Sequence, residues 1–461
     1  MNALAPTRAL AQWVAGAAGC ASGRALELAR EAWLDVCACM VAGAHDEATE
    51  RVAHAAAGWG AGPVSVVGRA TPMSAPAAAL VNGTAAHALD FDDNFHPMAG
   101  HASAALVPAI CAVAERAGAS GQNALDAYVA GLEACTLIGD GIGLAHYERG
   151  WHSTSTIGAM AAAVACAHLL RLDTDGVQRA IGLGFSFASG SKRQFGTQAK
   201  PMHAGMAAMH GVMAADLAAA GVAPHAEPLT GPWGFDDLFA GGDPPGFEMP
   251  LARLGNPPAI ERYGLKAKIH PCCASVHCAV DGVVALMREH ALDARDIAGV
   301  DTVVARMSFD NLMYACPENA LQARFSMQYA VTLAVLQGGM RLADFTPEAV
   351  ARPEVRAWLP RVQMQVAGVD DAVTQVENGR EPARVTLRLA SGGTLQCFVQ
   401  HAVGTLQIPM TGEQLAGKLE DCAREHLHAG EQAQVRALVL TLDEQPDLGP
   451  LMALLRGARS A

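Results

Sequence analysis

The chain has few aromatic residues, few charged residues and no long unbroken apolar run. Aromatic side chains make up 5 % of its 461 residues and charged side chains 17 %, whereas 51 % are hydrophobic. This balance excludes a disordered chain, and abundant alanine with few aromatics favours closely packed helices. The longest apolar run, 157–170, contains Gly158 and His168 and is too short to span a bilayer. We therefore expect no membrane-spanning segment.

Basic charge is also scarce. The formal net charge is −13, which argues against nucleic acid as a partner because phosphate binding needs a basic face. A small anionic ligand stays open, since a local group of lysines and histidines can be cationic in an acidic protein. Met1–Ala5 lacks the basic and apolar regions of a signal peptide. The twelve cysteines lie mostly singly in apolar runs, as reduced thiols do, so we expect a cytoplasmic protein.

The stretch richest in acid and base groups is 82–101. Ser74 and the proline at 76 predict a helix that runs to about residue 89, and Pro97 and Gly100 keep the next segment irregular. Acid and base groups on a loop between two helices suit a catalytic pocket, but a metal site and ordinary helix capping remain open. The groups are three histidines and three aspartates, His87, His96, His101, Asp90, Asp92 and Asp93.

A second candidate is the hydroxyl-rich run that follows His152. Ser153 or Thr154 can cap a helix that continues to about residue 170. The free backbone N–H groups of a helix start attract anions, so this run is a candidate cradle for a carboxylate. An ordinary helix cap is the alternative.

A third candidate is the segment 191–205, which contains Lys192, Arg193, Lys200 and His203. It precedes an apolar helix predicted over 204–221. Its positive charges predict an anion-binding loop, and a solvated basic loop is the alternative.

The sequence pattern changes at about residue 265. Strand signals appear at 300–307 and 361–366, and a hairpin with a glycine turn is predicted over 383–400, with helices over 321–336 and 347–358 between them. The predicted fold is mainly α, a large all-helical domain over 1–265 plus 405–461. An inserted, smaller α/β domain is predicted over 266–404.

Three cysteines near the start of this second region could suggest zinc. Cys272, Cys273 and Cys278 lie close to His270 and His277 in the sequence. Their spacing matches no paired Cys-x2-Cys arrangement, so we expect no metal there.

Five motifs occur in one order along the chain and together resemble the MmgE/PrpD family, which includes 2-methylcitrate dehydratases, cis-aconitate decarboxylases and iminodisuccinate epimerases. They are NGTAAHALDFDD (82–93), GWHSTS (150–155), QAKPMHAG (198–205), GPWGF (231–235) and KIHPCC (268–273). The resemblance implies the two-domain fold described above, with the smaller α/β domain as a lid, a homodimer, and a site that needs neither metal nor cofactor.

The resemblance also implies the site residues. The lysines would pair with substrate carboxylates, His101 or His152 would act as acid or base, and Asp90 would orient one of these histidines. The implied catalytic set is Asp90, His101, His152, Lys200, Lys268 and Tyr314. The predicted substrate-binding set is Ser153, Thr154, His96, His203 and His270.

The leading functional hypothesis is a cofactor-independent lyase that dehydrates or decarboxylates a small di- or tricarboxylate. An isomerase or epimerase of a small dicarboxylate is the first alternative, because the same groups could serve either reaction. A carboxylate-binding protein without activity is the second. In each case the expected partner is a small carboxylate, with no nucleic acid and no membrane.

Overall fold

The computed structural model describes residues 5–375 and 381–457. The chain divides into two compact units: the first is Met1–Gln194, Gln198–Leu265 and Gly412–Ala461, and the second is Phe195–Thr197 and Lys266–Thr411. This division differs from the predicted domains at residues 195–197 and 405–411. The role of the second unit as a lid stays a prediction.

The first unit is built almost entirely from helices, so the predicted mainly α fold is confirmed. Its helices are α1 (Pro6–Ala15), α2 (Gly23–Gly43), α3 (Glu47–Ala56), α4 (Ala75–His87), α5 (Ala102–Ala117), α6 (Gly121–Ile142), α7 (Ala145–Glu148), α8 (Ser153–Leu169), α9 (Thr174–Ser186), α10 (Ala199–Ala219), α11 (Glu248–Ala252), α12 (Ala259–Tyr263), α19 (Gly412–Ala423), α20 (Ala429–Leu440) and α21 (Gly449–Arg456).

Small residues let the central helices of this unit approach one another closely. A Cβ added to Gly83 of α4 would lie 2.7 Å from the Cα of Gly205 in α10, so neither glycine can carry a side chain without moving a helix. Ala105, Ala159 and Ala207 form a shared contact where α5, α8 and α10 meet. The abundant alanines therefore serve as the small residues at which buried helices pack closely together.

The long apolar run lies in one of these internal helices. Nearly all residues of α8 are buried in the first unit. No helix within the described ranges is long and apolar enough to cross a membrane.

The first unit also contains a short antiparallel ribbon. The unit is therefore mainly helical, whereas the prediction was an all-helical domain. Strands β1 (Val64–Val66) and β2 (Arg69–Met73) pair with each other. The Asn82 side chain docks the ribbon on α4, since it accepts from Val67 N–H at 2.9 Å and donates to the Ser65 carbonyl at 3.0 Å. Asn82 and Gly83 therefore lie inside a continuous helix and do not interrupt it.

The second unit contains a four-stranded sheet in the order β4-β3-β5-β6. The strands β3 and β4 are parallel, whereas β5 pairs antiparallel with both β3 and β6. The predicted strands and the glycine-turn hairpin are confirmed. The elements are β3 (Ile297–Val304), β4 (Val362–Val366), β5 (Ala383–Leu389), β6 (Thr394–Val399), α13 (His277–Glu289), α14 (Arg306–Asn311), α15 (Ala320–Ala323), α16 (Met327–Gln337), α17 (Pro347–Val350) and α18 (Pro353–Trp358).

Each of the two helices predicted between these strands is broken in two. Within 321–336, α15 ends at Ala323 and α16 begins after Ser326, whose side chain accepts from Tyr329 N–H at 3.1 Å. Within 347–358, the chain leaves the helix before Pro353, because proline disfavours helical geometry at the preceding residue.

Candidate active site

The stretch 88–101 connects α4 to α5, and three long helices begin beside it. His101 is the N-cap of α5, His152 is the N-cap of α8, and Lys200 lies in the first turn of α10. Helix starts carry partial positive charge and unpaired N–H groups. This part of the first unit can therefore attract a carboxylate even where few side chains are charged.

Asp92 holds two histidines at once. Its carboxylate lies 2.9 Å from His87 Nδ1 and 3.0 Å from His101 Nδ1, and His101 Nδ1 also lies 3.0 Å from the Asp93 carbonyl oxygen. Carboxylate and carbonyl oxygens can only accept here, so Nδ1 of each imidazole carries the proton. The two rings lie 4.2 Å apart between centroids.

Lys200 closes the cluster on the opposite side of His87. Its ammonium donates to His87 Nε2 at 2.9 Å and forms a buried ion pair with Asp90. The orienting role that the resemblance implies for Asp90 stays a prediction. Its Oδ1 lies 3.9 Å from His101 Nε2, beyond the distance of a hydrogen bond, whereas Asp92 contacts Nδ1 of the same ring.

The charge of each group in this cluster follows from its surroundings. Burial lowers the pKa of His87 to about 3 against the opposing pull of Asp92, with Lys200 lowering it further. Burial alone would raise the Asp92 pKa, but the facing imidazoles of His87 and His101 hold it well below its usual range. His87 is therefore neutral and Asp92 ionised at neutral pH.

The pKa of Asp93, the next residue, is shifted in the opposite direction. Burial raises the pKa of its carboxyl well above the usual value, and the nearby charge of Asp35 raises it further. Ser103 Oγ donates to Asp93 Oδ2 at 2.5 Å and lies 2.7 Å from the Tyr128 hydroxyl. Opposite pKa shifts at two neighbouring aspartates are how one site can hold both an acid and a fixed anion.

His152 faces a second histidine. Its Nδ1 lies 3.0 Å from His203 Nδ1, so one ring donates and the other accepts, and the two cannot both be cationic in this geometry. Burial lowers the pKa of His152 well below its usual value and that of His203 to about 4, and Lys200 lowers both further. This pair is a neutral donor–acceptor unit.

The hydroxyls at the start of α8 have structural partners. Thr154 Oγ1 accepts from His101 N–H at 3.0 Å, and Thr156 Oγ1 lies 2.9 Å from His146 Nε2. Ser153 and Thr154 are the first residues inside α8, not its cap, so the predicted cap is wrong. A Cβ on Gly100 would lie 3.0 Å from Thr154 N, and this glycine therefore lets the loop rest on the helix start.

The basic segment 191–205 is not a single loop, and anion binding by it stays a prediction. Lys200 and His203 belong to α10, which begins at Ala199, because proline at 201 is tolerated in a first turn. Lys192 lies over the Tyr147 ring, 3.7 Å from its centroid, and Arg193 is exposed. The positive charges of this segment do not form one cluster.

Four of the predicted site residues lie outside this cluster. Three belong to the second unit, and His96 lies in the stretch 88–101. Lys268 is fully buried, His270 Nε2 lies 3.2 Å from Asp281 Oδ1, and the Tyr314 hydroxyl donates to the Phe195 carbonyl at 3.1 Å. The His96 ring lies 6.2 Å from that of Tyr263. Their catalytic or binding roles stay predictions.

One group among the described residues has the arrangement of metal ligands. It is His87, Asp92 and His101, whose ligand atoms lie within 4.8 Å of one another. These residue types suit zinc or another divalent ion, but the Lys200 ammonium 2.9 Å from His87 Nε2 would repel a cation. Cys272 Sγ lies 3.6 Å from Met340 Sδ, and the Cys272–Cys278 region forms no such group within the described ranges.

Comparison with known proteins places the chain in a family. The model of the MmgE/PrpD N-terminal domain matches residues 8–248, and that of the MmgE/PrpD C-terminal domain matches residues 270–444. The chain belongs to the MmgE/PrpD family. It is 27 % identical over 391 residues to human cis-aconitate decarboxylase, covering 82 % of this chain and 79 % of that protein. The cis-aconitate decarboxylase of Aspergillus terreus is 25 % identical over 453 residues, covering 93 % and 91 %.

The cluster in this MmgE/PrpD protein includes two residues that the predicted site omits, His87 and Asp92. Both lie in the motif 82–93, so the sequence places them in a stretch rich in acid and base groups. The sequence does not predict the contact between them, because that contact depends on how the loop folds back on α4. The relatives are named as decarboxylases, and such names support a lyase-like activity for this chain. The homodimer implied by the family stays a prediction.

Proposed function

We propose that this protein is a lyase that removes carbon dioxide from a small di- or tricarboxylate such as cis-aconitate. The substrate class and the reaction are taken from the relatives, which are named as cis-aconitate decarboxylases and match most of this chain. The proposal is that His101 transfers the proton and that the surrounding groups fix its state.

The observation that carries the proposal is the His101–Asp92 contact. Nδ1 of His101 donates to the ionised Asp92 carboxylate and to the Asp93 carbonyl, which leaves Nε2 as the nitrogen that exchanges protons with a substrate. A carboxylate behind an imidazole fixes its tautomer and stabilises the imidazolium. His101 is therefore the best candidate for the acid or base, ahead of His152.

Carboxylate binding would draw on two sources. The starts of α5 and α8 offer backbone N–H groups beside His101 and His152, and such groups bind carboxylates. Lys268 is proposed as a side-chain partner for a second carboxylate; one charge-assisted contact contributes about 1.5–3 kcal/mol. Lys200 is proposed as an internal counter-ion for Asp90, since their ammonium–carboxylate pair is already made.

The reaction needs one proton for each carbon dioxide released. When the C–C bond to a carboxylate breaks, its electron pair stays on the remaining carbon, and that carbon must then be protonated. His101 in its imidazolium form would donate this proton from Nε2 and recover one from water. The pairing of His101 with Asp92 supports the imidazolium, and positive helix ends would stabilise the developing negative charge.

The test is a product assay of the purified protein in D2O by NMR. The substrates are cis-aconitate, 2-methylcitrate, citrate and iminodisuccinate, each with and without EDTA. Carbon dioxide release, with one deuterium in the product and equal rates in EDTA, is the expected result. Water loss would make the protein a hydro-lyase, deuterium uptake without loss of mass would make it an epimerase, and either result would overturn decarboxylation. Binding of an acid without any reaction would leave only a carboxylate-binding protein.

A further inference from the structure

One buried lysine in helix α19 contacts both helix α2 and the loop that contains Asp90 and Asp92. Lys418, in α19, is 5 % exposed and forms an ion pair at 2.6 Å with Asp35, in α2. The same ammonium donates to the Phe91 carbonyl at 2.7 Å and lies 4.0 Å from the centre of the Phe91 ring. A single charged group thus contacts the residue between the two aspartates.

This position is where the loop most needs support. Asp90 has φ of 52°, in the left-handed region that few residues other than glycine adopt. Strained backbone of this kind persists only where its surroundings fix it. The Phe91 carbonyl follows Asp90 directly, and the Lys418 ammonium fixes that carbonyl.

A neutral contact would have sufficed if only packing were required. Taking two charges out of water is costly, and a buried ion pair is often no more stabilising than apolar side chains of similar size. We propose that the Asp35–Lys418 pair is a positioning device, which holds the Phe91 carbonyl so that Asp90 faces Lys200 and Asp92 faces His87 and His101. The inference rests on the proposed function of this cluster.

The experiment compares the wild type with the double variant D35L/K418M, which removes both charges together and leaves no unpaired ion in the core. The expected result is a folded protein with kcat lowered about 10- to 100-fold, the range for losing a charged hydrogen bond, and with KM changed less than threefold. The control is R30M/D443N, which removes an ion pair joining the same helix α2 to the C-terminal segment. Its kcat should equal that of the wild type.

A second variant keeps the test decisive if the first does not fold. D35N/K418Q keeps a polar pair, but the glutamine side chain is one bond shorter than lysine and does not reach the Phe91 carbonyl. Its kcat should also fall, with KM little changed. A folded variant of either design with kcat within twofold of the wild type would overturn the positioning role.

A failure of the proposed function would be seen separately. If the wild type turns over none of the acids, the lyase proposal fails while the positioning role is still measured by NMR of the imidazole nitrogens. The signals of His87 and His101 should shift in D35L/K418M and stay fixed in R30M/D443N. Unchanged signals in D35L/K418M would contradict the positioning role on their own.

Discussion

The Nδ1 atom of His101 and the Oδ2 atom of Asp92 lie 3.0 Å apart inside the helical unit, and the Asp92 side chain is fully buried there. This contact assigns the proton of His101 to Nδ1. Asp92 also differs from Asp93, because burial raises the pKa of the Asp93 carboxyl well above its usual value. The central claim about the site follows from this relationship.

The two neighbouring aspartates should respond differently to the same substitution. D92N removes the charge that holds His101 and should lower kcat roughly 10²- to 10⁴-fold, as loss of an orienting carboxylate does. D93N leaves the Asp92–His101 contact in place and should keep kcat within about fivefold of the wild type, because the raised pKa of Asp93 favours a neutral side chain there. Steady-state kinetics of both variants checks this. Equal losses in the two would show that Asp92 has no special role.

The Lys200–Asp90 pair should be a major contribution to stability. K200M leaves the Asp90 carboxylate buried without its ion pair and should lower the free energy of unfolding by about 3–5 kcal/mol. D90N/K200M should recover much of that loss, because neither charge is then left alone. The exposed pair Arg116–Asp216 is the control, where R116M should cost less than about 1 kcal/mol. Urea unfolding measures these three variants and the single variant D90N, and additive losses at residues 90 and 200 would rule out the coupling.

Lys268 and Lys266 should separate substrate binding from folding. Lys266 Nζ already pairs with Glu381 at 2.9 Å, so K266M should mainly lower the melting temperature. K268M should raise KM about 10- to 100-fold, the loss expected for one charge-assisted contact. Kinetics and thermal melts of the two variants give the comparison. If KM is unchanged in K268M, this lysine does not bind the substrate.

The helical unit should lose stability at pH values well above the range in which carboxylates titrate. Burial lowers the pKa of His87 and of His146 to about 3, that of His203 to about 4 and that of His152 well below its usual value. The unfolded chain binds protons at these imidazoles near pH 6.5, whereas the native state stays neutral until about pH 4 or below. Unfolding therefore takes up protons in that window, and stability falls as the pH is lowered.

The size of this loss of stability follows from the same linkage between proton binding and unfolding. Between pH 7.5 and 5.5 each of His87, His146 and His203 should remove about 1.4 kcal/mol, and the raised pKa of Asp93 acts in the opposite direction. The net loss should be about 2–4 kcal/mol in urea unfolding. H146Q should reduce the loss by the share of one histidine. A protein that is equally or more stable at pH 5.5 would contradict the assigned charge states.

The local pattern of the sequence predicts much of the fold. It gives the helices α4 and α8, and the glycine turn gives the β5–β6 hairpin. The sequence pattern predicts a helix start after Pro201, because a proline often lies outside a helix. In the structure Pro201 lies in the first turn of α10. The pattern also cannot show that the Asn82 side chain is satisfied by the ribbon, which lets α4 run through Asn82–Gly83.

The site is predictable as a set of residues but not as a set of contacts. The stretch 82–101 contains every acid and base of the His87–Asp92–His101 cluster. Which carboxylate pairs with which cation depends on the turn at Asp90 and on Lys200, 110 residues further along the chain. The resemblance implies an orienting role for Asp90, whereas the contacts of the folded loop favour Asp92 in that role.

The most direct test of the account is release of ¹³C-labelled carbon dioxide from labelled cis-aconitate by the wild type and H101Q, with H54Q as an exposed-histidine control. We predict release by the wild type and H54Q at equal rates, and a loss of at least about 100-fold in kcat for H101Q with substrate binding retained, as expected for removal of a general acid or base. Release by H101Q at the wild-type rate, or a wild type that binds but never decarboxylates, would contradict the account.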